Sequence, residues 1–209
     1  MRLLRSTAYA GPRDHSGPGF DAVTQDRRTI LKVALGVGFG WSFLGVTAAA
    51  AEDPSVARPR KGDVLVVAYG ERAGQVIRPQ DLPEGGPQQI AFPMDPVTKV
   101  VRDGSPLNQV ALIRLDPSVL SEETRAQSAA GVVAYSAVCT HEGCPVSMWH
   151  KESKTLVCAC HASRFDPVDR ARVVDGPAPR RLAILPLEAV DGGVVVAAGF
   201  SGRVGGKTQ

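Results

Sequence analysis

The stretch VVAYSAVCTHEGCPVSMWHKESKTLVCACHAS, residues 132–163, decides how this chain is read. It holds all four cysteines and three of the four histidines. Val132–Ser136 is apolar and β-branched and reads as a strand leading into the loop Cys139-Thr140-His141-Glu142-Gly143-Cys144. Thr155–Cys158 reads as a second strand, leading into Cys158-Ala159-Cys160-His161-Ala162-Ser163. Cysteines serving only as core packing would be scattered. Four within one short stretch point to a metal site or to disulfides in an oxidising compartment.

Each loop supplies a thiol and an imidazole. A 2Fe–2S cluster with mixed ligation takes two sulfurs on one iron and two nitrogens on the other. Cys139 and Cys158 would hold the first iron, His141 and His161 the second. A neutral imidazole in place of a thiolate removes negative charge, which makes the added electron easier to accept. The potential then rises from about −400 mV to roughly −150 to +300 mV. Cys144 and Cys160 remain, one per loop, and can pair after export. Ser163 can donate its hydroxyl to a sulfur and raise the potential further. A structural zinc takes four ligands, and six candidate donors exceed that number. His150, in HKESK, reads as a solvated turn residue, and Met148 and Trp149 as packing residues. Gly143 and Gly176 read as backbone-geometry positions.

Outward from this stretch the chain reads as many short strands, hence an all-β sandwich or barrel. Strands are expected over Asp63–Tyr69, Gln89–Phe92, Gln109–Leu115, Arg172–Val174, Leu182–Glu188 and Val194–Ala198. Ser121–Ala130 is expected as a short helix, with Ser121 as N-cap and Gly131 as its stop.

The net charge of +3 lies in the first 51 residues, which carry six basic and three acidic groups; the remainder carries eighteen of each. The main domain therefore has no electrostatic footprint for nucleic acid. Arg27-Arg28 precedes a run, Val33 to Ala51, that carries no charge. A twin arginine before an apolar segment marks export of a folded bacterial protein. The run is long enough to span a bilayer, and it ends in Ala49-Ala50-Ala51, which fits a cleavage site. Both an uncleaved apolar anchor helix and a removed leader follow from this pattern. The expected plan is a disordered cytoplasmic tail at 1–26, the twin-arginine segment at 27–51 and a polar tether at 52–61. A domain at 62–200 and a flexible C-terminus at 201–209 complete it.

The pattern C-T-H-x-G-C followed by C-x-C-H-x-S resembles the Rieske family, in its high-potential, disulfide-bearing branch. The best-known members are the Rieske subunits of cytochrome bc complexes. Gly176-Pro177-Ala178-Pro179 resembles that branch's proline loop, a third loop over the cluster. The resemblance implies an antiparallel β sandwich with a small cluster-binding subdomain and one 2Fe–2S cluster on Cys139, His141, Cys158 and His161. It also implies a Cys144–Cys160 disulfide. Two positions depart from it. Phe165 stands where bc-complex members usually have a tyrosine that bonds a ligand sulfur, which implies a lower potential. Glu142 stands where such members have an aliphatic residue at the quinol pocket.

The resemblance implies one-electron transfer at the periplasmic face of a bacterial inner membrane, or from a soluble periplasmic protein if the leader is removed. One set of partners is a quinol, a cytochrome b and a cytochrome c, with His141 and His161 presenting their outer nitrogens to the quinol. The other is the catalytic subunit of a different periplasmic oxidoreductase, as in arsenite oxidase. Export and the extra cysteines argue against a ferredoxin for a ring oxygenase.

Overall fold

The computed structural model describes residues 53–206. The apolar N-terminal segment and its twin arginine lie outside the described residues. Among those described, no helix is long and apolar enough to cross a membrane.

The chain forms two antiparallel sheets. The larger contains β1 (Val64–Val67), β2 (Gln89–Met94), β3 (Val110–Arg114), β4 (Val132–Ser136), β9 (Leu187–Val190) and β10 (Gly193–Val196), in the order β4-β3-β2-β1-β10-β9. The smaller contains β5 (Met148–His150), β6 (Thr155–Val157), β7 (Arg164–Asp166) and β8 (Arg172–Asp175), in sequence order. The large sheet is curled. Ser136 N–H donates to the Ala183 carbonyl (2.8 Å) and Leu185 N–H to the Ala134 carbonyl (2.9 Å). Residues 183–185 thus run beside β4 just before the chain enters β9, bringing the sheet's two edges together.

Strand periodicity then divides the core. On β3 and β4, Val110, Leu112, Val132 and Ala134 face one apolar cluster, with Leu65, Leu185 and Val196. Ala111, Ile113, Val133 and Tyr135 face the other, which contains Cys139, Leu156, Cys158 and Phe165. Successive side chains of a strand point to opposite faces, so β4 is packed on both. Its outer face is the platform for the small sheet. Tyr135 fixes the two together by donating its hydroxyl to the Pro167 carbonyl at 2.8 Å, and burial pushes its pKa far up.

Several expected elements differ. The helix is one turn, α1 (Glu122–Arg125), capped as expected by Ser121, whose Oγ accepts from Thr124 N–H. It stops early because Ala129 and Val132 bond to each other in a tight turn, with Ala130 and Gly131 at positive φ. Expected strand Leu182–Glu188 begins only at Leu187, since Pro186 has no N–H for a ladder. The segment expected as a tether is docked from Asp53 to Arg60. Gly104 N–H donates to the Ser55 carbonyl, Asn108 Nδ2 to the Ala57 carbonyl, and Arg58 Nη1 to the Leu107 carbonyl. The expected flexible C-terminus is likewise seated as far as Gly206, with Val204 packed against Val138 and Ala183. Trp149 packs against the core, whereas Met148, expected to pack, is about half exposed. Buried Arg102 makes a forked pair with Asp63 at 2.7 and 2.9 Å.

Candidate metal centre

The two cysteine–histidine loops are built on one plan. In the first, Cys139 N–H donates to the Cys144 carbonyl (2.8 Å) and Gly143 N–H returns to the Cys139 carbonyl (3.0 Å). In the second, Cys158 N–H donates to the Ser163 carbonyl (2.9 Å) and Ala162 N–H to the Cys158 carbonyl (3.1 Å). The fifth residue of each turn is left-handed, Gly143 at φ 76° and Ala162 at φ 54°. Glycine adopts that conformation freely; alanine does so at a cost of roughly 1 kcal/mol. The loops are joined by Ala159 N–H to the Pro145 carbonyl (3.0 Å) and by a Cys144–Cys160 disulfide, Cα atoms 6.2 Å apart.

This geometry sends the thiols inward and the imidazoles outward. Cys139 and Cys158 are free and buried. His161 is exposed and His141 partly so, and their Nδ1 atoms face each other at 3.2 Å across nearly perpendicular rings. His141 Nε2 lies on the other edge of its ring, 3.6 Å from Glu142 Oε1.

Burial pushes the Cys139 thiol up to about 11, and the neighbouring Cys158 adds to the shift; the His141 N–H and the Ser163 hydroxyl, bonded to the sulfur, oppose it. Without metal, Cys139 is therefore protonated at neutral pH. A metal takes the thiolate and releases the proton.

Ser163 is fully buried, and its Oγ accepts from Ala178 N–H at 3.1 Å. That leaves its own proton for the Cys139 sulfur. Ala178 belongs to the Gly176–Pro179 loop, whose Pro177 and Pro179 are exposed. Gly176 presses on the serine: a Cβ there would stand 2.5 Å from Ser163 Cα. Phe165, on β7, is fully buried in the apolar cluster shared by Cys139 and Cys158. His150 ends β5 and bonds Ser153 in the hairpin turn, away from these loops. Sequence reasoning missed Thr140, whose hydroxyl donates to the Arg180 carbonyl at 2.6 Å, and Arg180 itself. Neither carries a signal apart from position.

The disulfide leaves four donors, so the count alone no longer argues against zinc. A structural zinc needs four ligands on one centre. A 2Fe–2S cluster with mixed ligation needs one pair per iron, and two thiols with two imidazoles suit it.

Comparison with known proteins points the same way. The Rieske [2Fe-2S] domain family matches residues 73–186. The chain is 34% identical over 145 residues to the cytochrome bc1 complex Rieske iron-sulfur subunit of Streptomyces lividans, covering 66% of this chain and 81% of that one. It is 29% identical over 240 residues to the subunit of the same name from Mycobacterium tuberculosis, covering 93% of this chain and 54% of that one. It is 52% identical over 77 residues to a putative respiratory nitrate reductase subunit Rieske of Haloferax mediterranei, covering 36% of this chain and 34% of that one. The matched region thus spans about half of the mycobacterial relative and a third of the haloarchaeal one.

Proposed function

The chain belongs to the Rieske [2Fe–2S] domain family, whose cofactor is one 2Fe–2S cluster, and from that premise we propose that it is the iron–sulfur subunit of a quinol–cytochrome c oxidoreductase. Cys139 and Cys158 would hold one iron, and His141 and His161 the other. The observation that supports this most is the convergence of the two Nδ1 atoms at 3.2 Å on the same two loops that carry two buried free cysteines. When bound, such a cluster accepts and releases one electron at a time.

The chain's own groups set the conditions for that. The His141 N–H and the Ser163 hydroxyl bond the Cys139 sulfur and favour its negative form. The disulfide holds the two loops in register, and the Gly176–Pro179 loop rests on the second of them through Ser163. The outer imidazole edges reach solvent, where a quinol hydroxyl can bond a ring nitrogen. Glu142 competes for that role at His141 Nε2. The proposed setting is the periplasmic face of a bacterial inner membrane, reached through the Arg27-Arg28 leader.

A second reading is an electron-transfer subunit of another periplasmic oxidoreductase, with a catalytic subunit in place of the cytochromes. The carboxylate of Glu142 beside His141 favours it, because a charge there disfavours an apolar quinol site. Both are tested by isolating the full chain with its partners from native membranes. Two irons and two labile sulfides per chain, with b- and c-type haem absorption, are expected. Co-purification with a molybdenum subunit and no haem would replace the first reading by the second. Zinc without iron would overturn both.

A further inference from the structure

We infer that Arg180 and the segment Arg203–Gly206 form one positioning unit that sets the backbone carrying His141. Arg180 follows the Gly176–Pro179 loop directly. Its carbonyl accepts the hydroxyl of buried Thr140 at 2.6 Å, and Thr140 lies between Cys139 and His141. Its guanidinium reaches the other way, with Nη1 donating to the Arg203 carbonyl at 2.7 Å and Nη2 to the Gly205 carbonyl. Those bonds place Gly206 on the outer backbone of the first loop. A Cβ at 206 would stand 2.7 Å from the His141 carbonyl oxygen, and 3.4 Å from Glu142 Cα and Gly143 N. Only a residue without a side chain approaches that closely.

The backbone of His141 is therefore flanked on both sides by groups that Arg180 holds, Thr140 before its N–H and Gly206 against its carbonyl. That backbone matters because it aims the His141 ring, whose Nδ1 stands 3.2 Å from that of His161, and because the His141 N–H is on the side of the Cys139 sulfur. A donor to a ligand sulfur stabilises the reduced, more negative state. Arg180 acts through the loop and is a positioning residue. The inference rests on His141 being an iron ligand.

The test uses the full, cluster-loaded chain. Arg180→Ala, Arg180→Lys, a stop after Ser201, and the combination of Arg180→Ala with that stop are compared with Arg181→Ala, an exposed neighbour of equal charge. Four quantities are read: iron and sulfide content, EPR g values, reduction potential, and hydrogen exchange of the His141 and Gly143 amides. Arg180→Ala and the truncation should each shift the g values, lower the potential and speed exchange of both amides at least tenfold. The combination should do no more than either alone, as groups in one network are non-additive. Arg180→Lys keeps the charge but loses the fork, so part of each shift should persist. Wild-type g values and exchange in Arg180→Ala, additive effects in the combination, or an equal shift in Arg181→Ala would each overturn the unit. Gly206→Val, which expels the segment with Arg180 intact, keeps the test decisive if Arg180→Ala does not fold. The ligand reading fails separately, by a wild-type EPR signal in His141→Ala, and the exchange measurement still decides the clamp.

Discussion

Gly176 meets Ser163 backbone to backbone: a Cβ at position 176 would lie 2.5 Å from the serine Cα and 3.0 Å from its Oγ. Gly176 also has φ +88°. Gly176→Ala should therefore push the loop away from the serine and release the Ala178 N–H bond. Overpacking of this kind costs about 1–3 kcal/mol. The expected outcome is a lower denaturation midpoint together with a lower reduction potential. Ser163→Ala should lower the potential with a smaller loss of stability. Unchanged potentials in both would mean the serine does not serve the cluster.

Phe165 is fully buried in the same cluster as Cys139 and Cys158. A hydroxyl added there must find a partner or cost about 1–3 kcal/mol. Phe165→Tyr should raise the reduction potential by donating to a ligand sulfur, with stability almost unchanged. A destabilised protein of unaltered potential would show that the ring's edge faces the core.

The disulfide closes a loop of sequence separation 16 between two segments that carry the ligands. Loops of that length contribute about 3 kcal/mol by restricting the unfolded chain. Cys144→Ser or Cys160→Ser should lower the unfolding free energy of the oxidised protein by that order. Reductant should do the same to the natural chain and nothing further to the variants. Free thiols at both positions in the exported protein would contradict the pairing.

The loops are legible in sequence because metal chemistry demands rare residue types at fixed offsets. Val132–Ser136 is legible because it is buried on both faces and so opens with a run of apolar residues, Val132-Val133-Ala134. The three-residue strands β5 and β7 are not, since Arg164, Phe165 and Asp166 show one step of alternation and depend on ladder partners. Nothing distinguishes Arg180 from Arg181 in sequence; their difference depends on where the chain returns after Phe200. A polar, proline-containing stretch such as 53–60 reads identically whether it hangs free or docks. Its partners, Gly104, Leu107 and Asn108, are distant in sequence.

Asp175 introduces the Gly176–Pro179 loop. The Arg164 guanidinium, bonded to its carboxylate, holds its pKa below the usual 3.8, helped by the Gly176 N–H. A carboxyl whose folded pKa is depressed adds stability above its unfolded pKa and loses it as pH falls through the folded value. Local protection of the loop should therefore be constant above about pH 5 and decline below 3.8. Hydrogen exchange of the Gly176 and Ala178 amides between pH 2.5 and 6 reads it directly. Asp175→Asn should show fast exchange at every pH and lose the acid step. An acid step retained in that variant would assign it to another group.

Arg58 holds the docked N-terminal segment. Its Nη1 donates to the Leu107 carbonyl (3.0 Å) and to Asn108 Oδ1 (3.2 Å), and the guanidinium stands 5.5 Å from the centre of the Phe200 ring. Burial lowers its pKa without removing its charge. With Asn108 Nδ2 on the Ala57 carbonyl, these contacts fix residues 54–60 to the domain. Bonds of this kind at a partly exposed site contribute about 1–2 kcal/mol together, which is roughly a 5- to 30-fold change in the open population. Limited proteolysis of the natural chain should spare residues 54–60. Arg58→Ala should become cleavable there at a rate higher by that factor, and Asn108→Ala should add little to it. Rapid cutting of the natural chain between 54 and 60 would mean that the segment hangs free.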